Sequence, residues 1–148
     1  MTVFNGTSSS DFLVGGDDAD QLNGNAGNDT LNAGGGNDTL NAGEGDDVLD
    51  GGPDNDLLFA GLQTNLFLFG LGDGQDTIDG GGVPDSASDN TLRFKAPISP
   101  ERVSVRPSLL DFGSLVLEIH DTNDVIVIRN ARGGRYPTTP IQSRLSTC

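Results

Sequence analysis

The first 92 residues contain no lysine, no arginine and no histidine. The chain of 148 residues has no tryptophan, one tyrosine, one histidine and one cysteine. Each shortage excludes something. A lone Cys148, at the last position, permits no internal disulfide. No apolar run approaches the roughly 18 residues a membrane-spanning helix needs, so no insertion into a bilayer by this segment is expected. The opening "MTVFNGTSSSD" has neither a basic start nor an apolar core, so it does not read as a Sec-type signal peptide. Residues 1–92 hold 17 acidic side chains and carry −17, whereas residues 93–148 carry eight basic and five acidic groups, or +3. An N-terminal segment of that charge repels nucleic acid and anionic lipid, and its natural partners are polyvalent cations.

Catalytic signatures are also missing. There is no HExxH and no GxSxG, and His120 in "EIHDTND" reads as a turn residue rather than a base. The carboxylates could imitate a glycosidase pair, but their regular spacing suits metal binding better. The expectation is a protein that is not an enzyme.

What the sequence has in abundance is glycine, 22 residues of it, and repetition. "GNAGNDTLNAGGGNDTLNAGEGDDVLD" states one nine-residue phrase three times over. Extended both ways, seven copies begin at Gly6, Gly15, Gly24, Ala33, Ala42, Gly51 and Ala60. Their sixth places are Asp11, Asp20, Asp29, Asp38, Asp47, Asp56 and Asn65, and their eighth places are Leu13, Leu22, Leu31, Leu40, Leu49, Leu58 and Phe67. An internal repeat this regular dictates the fold.

A period of nine keeps no face of an α-helix. Glycine early in each copy suits turns with positive φ, and endings such as "DTLN" suit a short strand with one inward side chain. Turn plus strand, repeated, winds a parallel coil with two copies per circuit. The Leu column then fills a thin core between two sheets. Stacking sets Asp11, Asp29 and Asp47 in one row and Asp20, Asp38 and Asp56 in another, with neighbours about 4.8 Å apart. Like charges at that distance repel by roughly 3–4 kcal/mol per pair at an effective dielectric of about 20. A cation must therefore sit between the turns. The donors on offer are carboxylates and bare glycine-turn carbonyls, an all-oxygen set that suits Ca²⁺ rather than Zn²⁺ or Mg²⁺.

The phrases "GNAGNDTLN", "AGGGNDTLN" and "AGEGDDVLD" resemble the calcium-binding nonapeptides of the RTX (repeats-in-toxin) family. The resemblance implies an all-β fold, a parallel β-roll over residues 5–68 in which six-residue turns bind calcium and three-residue stretches form strands. Each ion would be shared by turns one circuit apart, giving about three sites at Asp20/Asp38, Asp38/Asp56 and Asp29/Asp47, with Asp11 as a further candidate. The turn glycines Gly16, Gly27, Gly34, Gly36, Gly43, Gly45 and Gly52 would supply backbone oxygens. The turns "GTSSSD" and "AGLQTN" depart from the pattern and read as end caps, while Asp18 and Asp54 stand where glycine is preferred.

From Leu66 onward the wording becomes short alternating strands, expected near 66–69, 91–94, 102–106, 114–119 and 125–129, with "HDTND" turning a hairpin. Residues 69–130 resemble the haemolysin-type calcium-binding related domain, which implies a C-terminal antiparallel β cap. Residues 131–148 read as a disordered tail. The resemblance implies a secreted, Gram-negative bacterial module that folds on calcium after export by type I secretion machinery, as a monomer. The alternative is a polysaccharide-binding or adhesin module, for which Phe12, Phe59 and Phe69 are the candidate aromatic contacts.

Overall fold

The computed structural model describes residues 1–80, 90–109 and 114–129; the expected tail at 131–148 lies outside them. The repeat folds as its period requires. The strands β1 (Val3–Asn5), β3 (Gln21–Ala26), β5 (Thr39–Glu44) and β7 (Leu57–Phe59) lie side by side in one parallel sheet. Strands β2 (Phe12–Val14), β4 (Thr30–Asn32), β6 (Val48–Asp50) and β8 (Leu66–Phe69) form the other. Partners are two copies apart throughout: Leu22 pairs with Leu40, Leu40 with Leu58, Leu13 with Leu31 and Leu31 with Leu49. Two copies therefore make one circuit.

The eighth place of each copy points inward because successive side chains of a strand alternate between faces. Leu22, Leu31, Leu40, Leu49 and Leu58 are essentially sealed from water, and Phe67 and Ile78 continue the column. Each such side chain contributes about 1.5–3 kcal/mol on burial. First-place Ala33, Ala42 and Ala60 are equally buried.

The parallel coil continues past Leu68. Strand β9 (Gln75–Asp79), which the alternation did not suggest, pairs parallel with β7, placing Ile78 beside Leu58. Strand β10 (Thr91–Phe94) pairs parallel with β8, placing Leu92 beside Phe67. Phe69 and Phe94 meet edge to face, with centroids 6.4 Å apart. The antiparallel part consists of β11 (Val103–Pro107), β12 (Leu115–Ile119) and β13 (Val125–Arg129), preceded by a single 3₁₀ turn at Pro100–Arg102. The expected hairpin around "HDTND" joins β12 to β13. This meander attaches through β13, which lies parallel to β9, so it prolongs the first sheet by three strands. Its buried Ile119 and Ile126, with Leu117 and Ile128 packed against them, extend the apolar interior at that end.

The core column sets a simple expectation. Leu40→Ala should cost about 2–5 kcal/mol in chemical denaturation of the folded chain, the range for a buried Leu truncation that leaves a cavity. Val48→Ala, on a half-exposed outer position, should cost far less. Equal losses would mean that the Leu column is not the structural spine.

Candidate metal centre

The Asp of each sixth place has two oxygens in two different situations. From the second copy onward one of them, Oδ1, accepts the backbone N–H of the corresponding residue one circuit earlier, beginning with Thr2 N–H on Asp20. Asp20 N–H donates to Asp38 at 2.6 Å, and Asp38 N–H donates to Asp56 at 2.8 Å. On the opposite edge Asp11 N–H donates to Asp29 and Asp29 N–H to Asp47, both at 2.8 Å. The column does not end with the seven copies. Asp56 N–H reaches Asp76 at 3.0 Å, Asp47 N–H reaches the amide oxygen of Asn65 at 2.9 Å, and Asn65 N–H reaches that of Asn90 at 2.9 Å.

The other oxygen, Oδ2, divides the copies into two classes. In the first two it is closed by its own turn: Thr7 N–H donates to Asp11 at 2.6 Å, and Gly16 N–H to Asp20 at 3.0 Å. In the next four, Oδ2 of Asp29, Asp38, Asp47 and Asp56 is buried and has no hydrogen-bond partner. Burying a carboxylate oxygen without a partner is costly. Four at equivalent positions point to a ligand.

Backbone conformation changes at the same boundary. From the third copy onward the second and fourth places have positive φ, first at Asn25 and Gly27, then at Gly34 and Gly36, Gly43 and Gly45, and Gly52 and Asp54. Gly61 with Gln63 and Gly72 with Gly74 continue the pattern. Gly16 is the one expected site glycine outside this set. At Gly43 and Gly52 the requirement for glycine is double: φ is +109° and +90°, and an added Cβ would overlap the carbonyl oxygen of Asn25 or Gly34 in the preceding circuit. Carbonyls thus crowd the groove between stacked turns where only a bare Cα fits. Among the described residues no three Asp, Glu, His or Cys side chains converge on one point. A site here must combine few carboxylates with backbone oxygens, as Ca²⁺ accepts.

A further ladder at the fifth place was not anticipated. Asp46 N–H donates to Asn28 Oδ1, Thr64 N–H to Asp46 Oδ1, Asn55 N–H to Asn37 Oδ1 and Gln75 N–H to Asn55 Oδ1, at 2.9–3.1 Å. Here the later circuit donates to the earlier one, opposite in sense to the sixth-place ladder. The recurring Asn-Asp pair in the repeat was the visible signal.

Burial acts on the carboxylates directly. Desolvation raises Asp38 and Asp47 above their ordinary range, with stacked neighbours adding to it and backbone N–H groups opposing it. The same cause pushes Asp56 up to about 7 and Asp76 up to about 8. Asp20 moves down instead, held by the Thr2 amide.

Elsewhere the chemistry is sparse. His120 lies exposed in the β12–β13 turn, beside a shallow cleft lined also by Gln75, Glu118, Thr122 and Asp124. Both acids there are engaged, Glu118 by Arg106 and Asp124 by Gly72 N–H and Gly74 N–H. The candidate sugar-stacking aromatics do not share a face. Phe12 is 70% exposed on the first circuit, Phe59 lies on the other sheet, and Phe69 is buried in the core.

The RTX calcium-binding nonapeptide repeat, the haemolysin-type repeat, matches the chain over residues 5–40, 33–67 and 71–87. That is more than half of its length, and the chain belongs to this family. The third matched stretch opens at Leu71 and includes the turn and strand of β9, in agreement with the parallel pairing. A comparison with curated proteins found no match. The repeats of the family bind Ca²⁺, and the orphaned Oδ2 atoms and carbonyl-lined grooves fit that ion.

The raised carboxylates give a pH dependence. Their folded-state values exceed the unfolded 3.8, so the metal-free coil holds protons more tightly than the unfolded chain and loses stability as pH rises through the window from about 4 to about 8. Because protons and calcium both bind the folded coil in preference to the unfolded chain, the calcium midpoint for folding should move to lower concentration as pH falls from 8 to 6. Calcium titrations followed by circular dichroism at several pH values check this, and a constant midpoint would refute it.

Proposed function

We propose that the chain is a non-catalytic calcium-dependent folding module of an exported protein, in which Asp29, Asp38, Asp47 and Asp56, with carbonyls of the positive-φ turns, hold ions between successive circuits. The observation that carries this reading is the set of four buried Oδ2 atoms without partners. Oδ1 ties one circuit to the next, and Oδ2 is left for the metal. When bound, calcium supplies the positive charge that two stacked carboxylate rows lack. Asp11 and Asp20, closed by the Thr7 and Gly16 amides of their own turns, terminate the series.

Export by a type I system suits the thermodynamics of calcium-dependent folding. RTX proteins are typically secreted. Cytosolic free calcium is scarce, and there the inner aspartate-rich circuits stay unfolded and threadable. Outside, calcium near millimolar fills sites of the extracellular class, and binding free energy becomes folding free energy. A monomer secreted from a Gram-negative cell suits this sequence of events. The polysaccharide-binding alternative has less support, because Phe12, Phe59 and Phe69 form no common stripe.

Far-UV circular dichroism should pass from largely unordered in EDTA to β-rich in millimolar calcium. Identical folded spectra in both would sink the reading. The ligand assignment has its own test. Asp38→Ala removes the acceptor for the buried Asp20 amide, a loss of about 1–3 kcal/mol, and an orphaned Oδ2 as well. It should raise the calcium midpoint by roughly tenfold or more. Asp11→Ala, at a turn closed on itself, should raise it by no more than about threefold. Equal midpoints would refute the division of the turns into two classes.

A further inference from the structure

The chain has a single lysine, Lys95, and the fold brings it into the acidic half. Its ammonium lies 2.8 Å from Asp50 Oδ1 and 2.8 Å from Asp73 Oδ2. Asp50 ends β6 in the fifth copy; Asp73 sits in the turn before β9 and is buried. The lysine thus spans successive circuits, as a bound ion would. Several local features hold it there. Lys95 N–H donates to Phe69 O at 2.8 Å, continuing the β8–β10 register. Gly70 lies under the aliphatic stem, where an added Cβ would come within 2.8 Å of Lys95 Cε. Gly70 N–H fixes the same Asp73 oxygen at 2.6 Å. Lys95 also opposes the burial that raises nearby Asp76.

We propose that Lys95 is a tethered cation that takes the charge-neutralising place of calcium at the C-terminal end of the roll, so that this end is ordered before any calcium binds and serves as the template for the circuits before it. Beside it, Asp124 from the β12–β13 turn accepts Gly72 N–H at 2.9 Å and Gly74 N–H at 3.1 Å. The glycine turn before β9 is therefore closed by protein groups. A Lys ammonium is a compact point charge on a flexible stem and suits two carboxylates that approach from different circuits. The proposal rests on the reading that calcium neutralises the inner carboxylates, but its test contains no calcium.

Amide hydrogen exchange of the full chain in EDTA decides it. In the wild type, amides of β8, β9, β10 and β13 should exchange at least roughly tenfold more slowly than those of β3 to β6. Lys95→Met should abolish that difference, and adding Asp50→Asn and Asp73→Asn in the same chain should restore most of it by removing the charges left unpaired. Three results would each overturn the proposal: no protected segment in the wild type, unchanged protection in Lys95→Met, or no recovery in the triple variant. The last would reveal a packing role for the lysine stem rather than an electrostatic one. Any of them leaves the calcium reading of the inner turns standing.

Discussion

Everything in this fold depends on one hydrogen bond repeated along two edges, from a sixth-place backbone N–H to the side-chain oxygen one circuit later. It fixes the distance between circuits and the orientation of each carboxylate, and it forces carboxylates into rows. A hydrogen bond to a charged acceptor is stronger than a neutral one, yet each one made here brings another negative charge alongside the last. With aspartate as the acceptor, the coil cannot have the ladder without the repulsion. A cation requirement therefore follows from the way the circuits are joined.

The carboxylate is suited to this because it has two oxygens to divide. Where the second place has negative φ, as at Thr7 and Gly16, its N–H closes on Oδ2 and the turn is complete in itself. Where the second place turns to positive φ, from Asn25 to Gly52, Oδ2 is left buried and unpartnered. Glycine content alone does not select between these states. Gly16 is a glycine in the closed class, and Asn25 is not a glycine but belongs to the open one.

Much of this was legible in the sequence. A nine-residue period with one Leu per copy leaves no option but a two-sheet coil, and the pairing of Leu22 with Leu40 and Leu31 with Leu49 follows from it. The eighth copy, "LGDGQDTID", was hidden by Phe69 and Gly70, two extra residues that break the count although its Asp76 and Ile78 fall in the proper columns. The second duty of the aspartates was hidden for a different reason. An Asp every nine residues looks the same whether it serves a metal, a backbone amide or both. Nor could local alternation show where the C-terminal meander attaches, since the pairing of β13 with β9 joins segments far apart in the chain.

The ends of the roll show how a repeating charge problem is brought to a stop. The fifth-place ladder donates toward earlier circuits and the sixth-place ladder toward later ones, so an inner circuit is held from both sides and an end circuit from one. On the edge that ends at β10 the acidic column gives way to Asn65 and then Asn90, which keep the acceptor and drop the charge. On the edge that ends at β9 it remains acidic through Asp76, and there Lys95 stands close by, on Asp73. At the first circuit Thr2 and Thr7 donate to Asp20 and Asp11, satisfying the outermost carboxylates with backbone amides. Neutral substitution, a fixed ammonium and local amides are three solutions to one electrostatic constraint. The unpartnered Oδ2 atoms lie between these ends, in the circuits where none of the three is available.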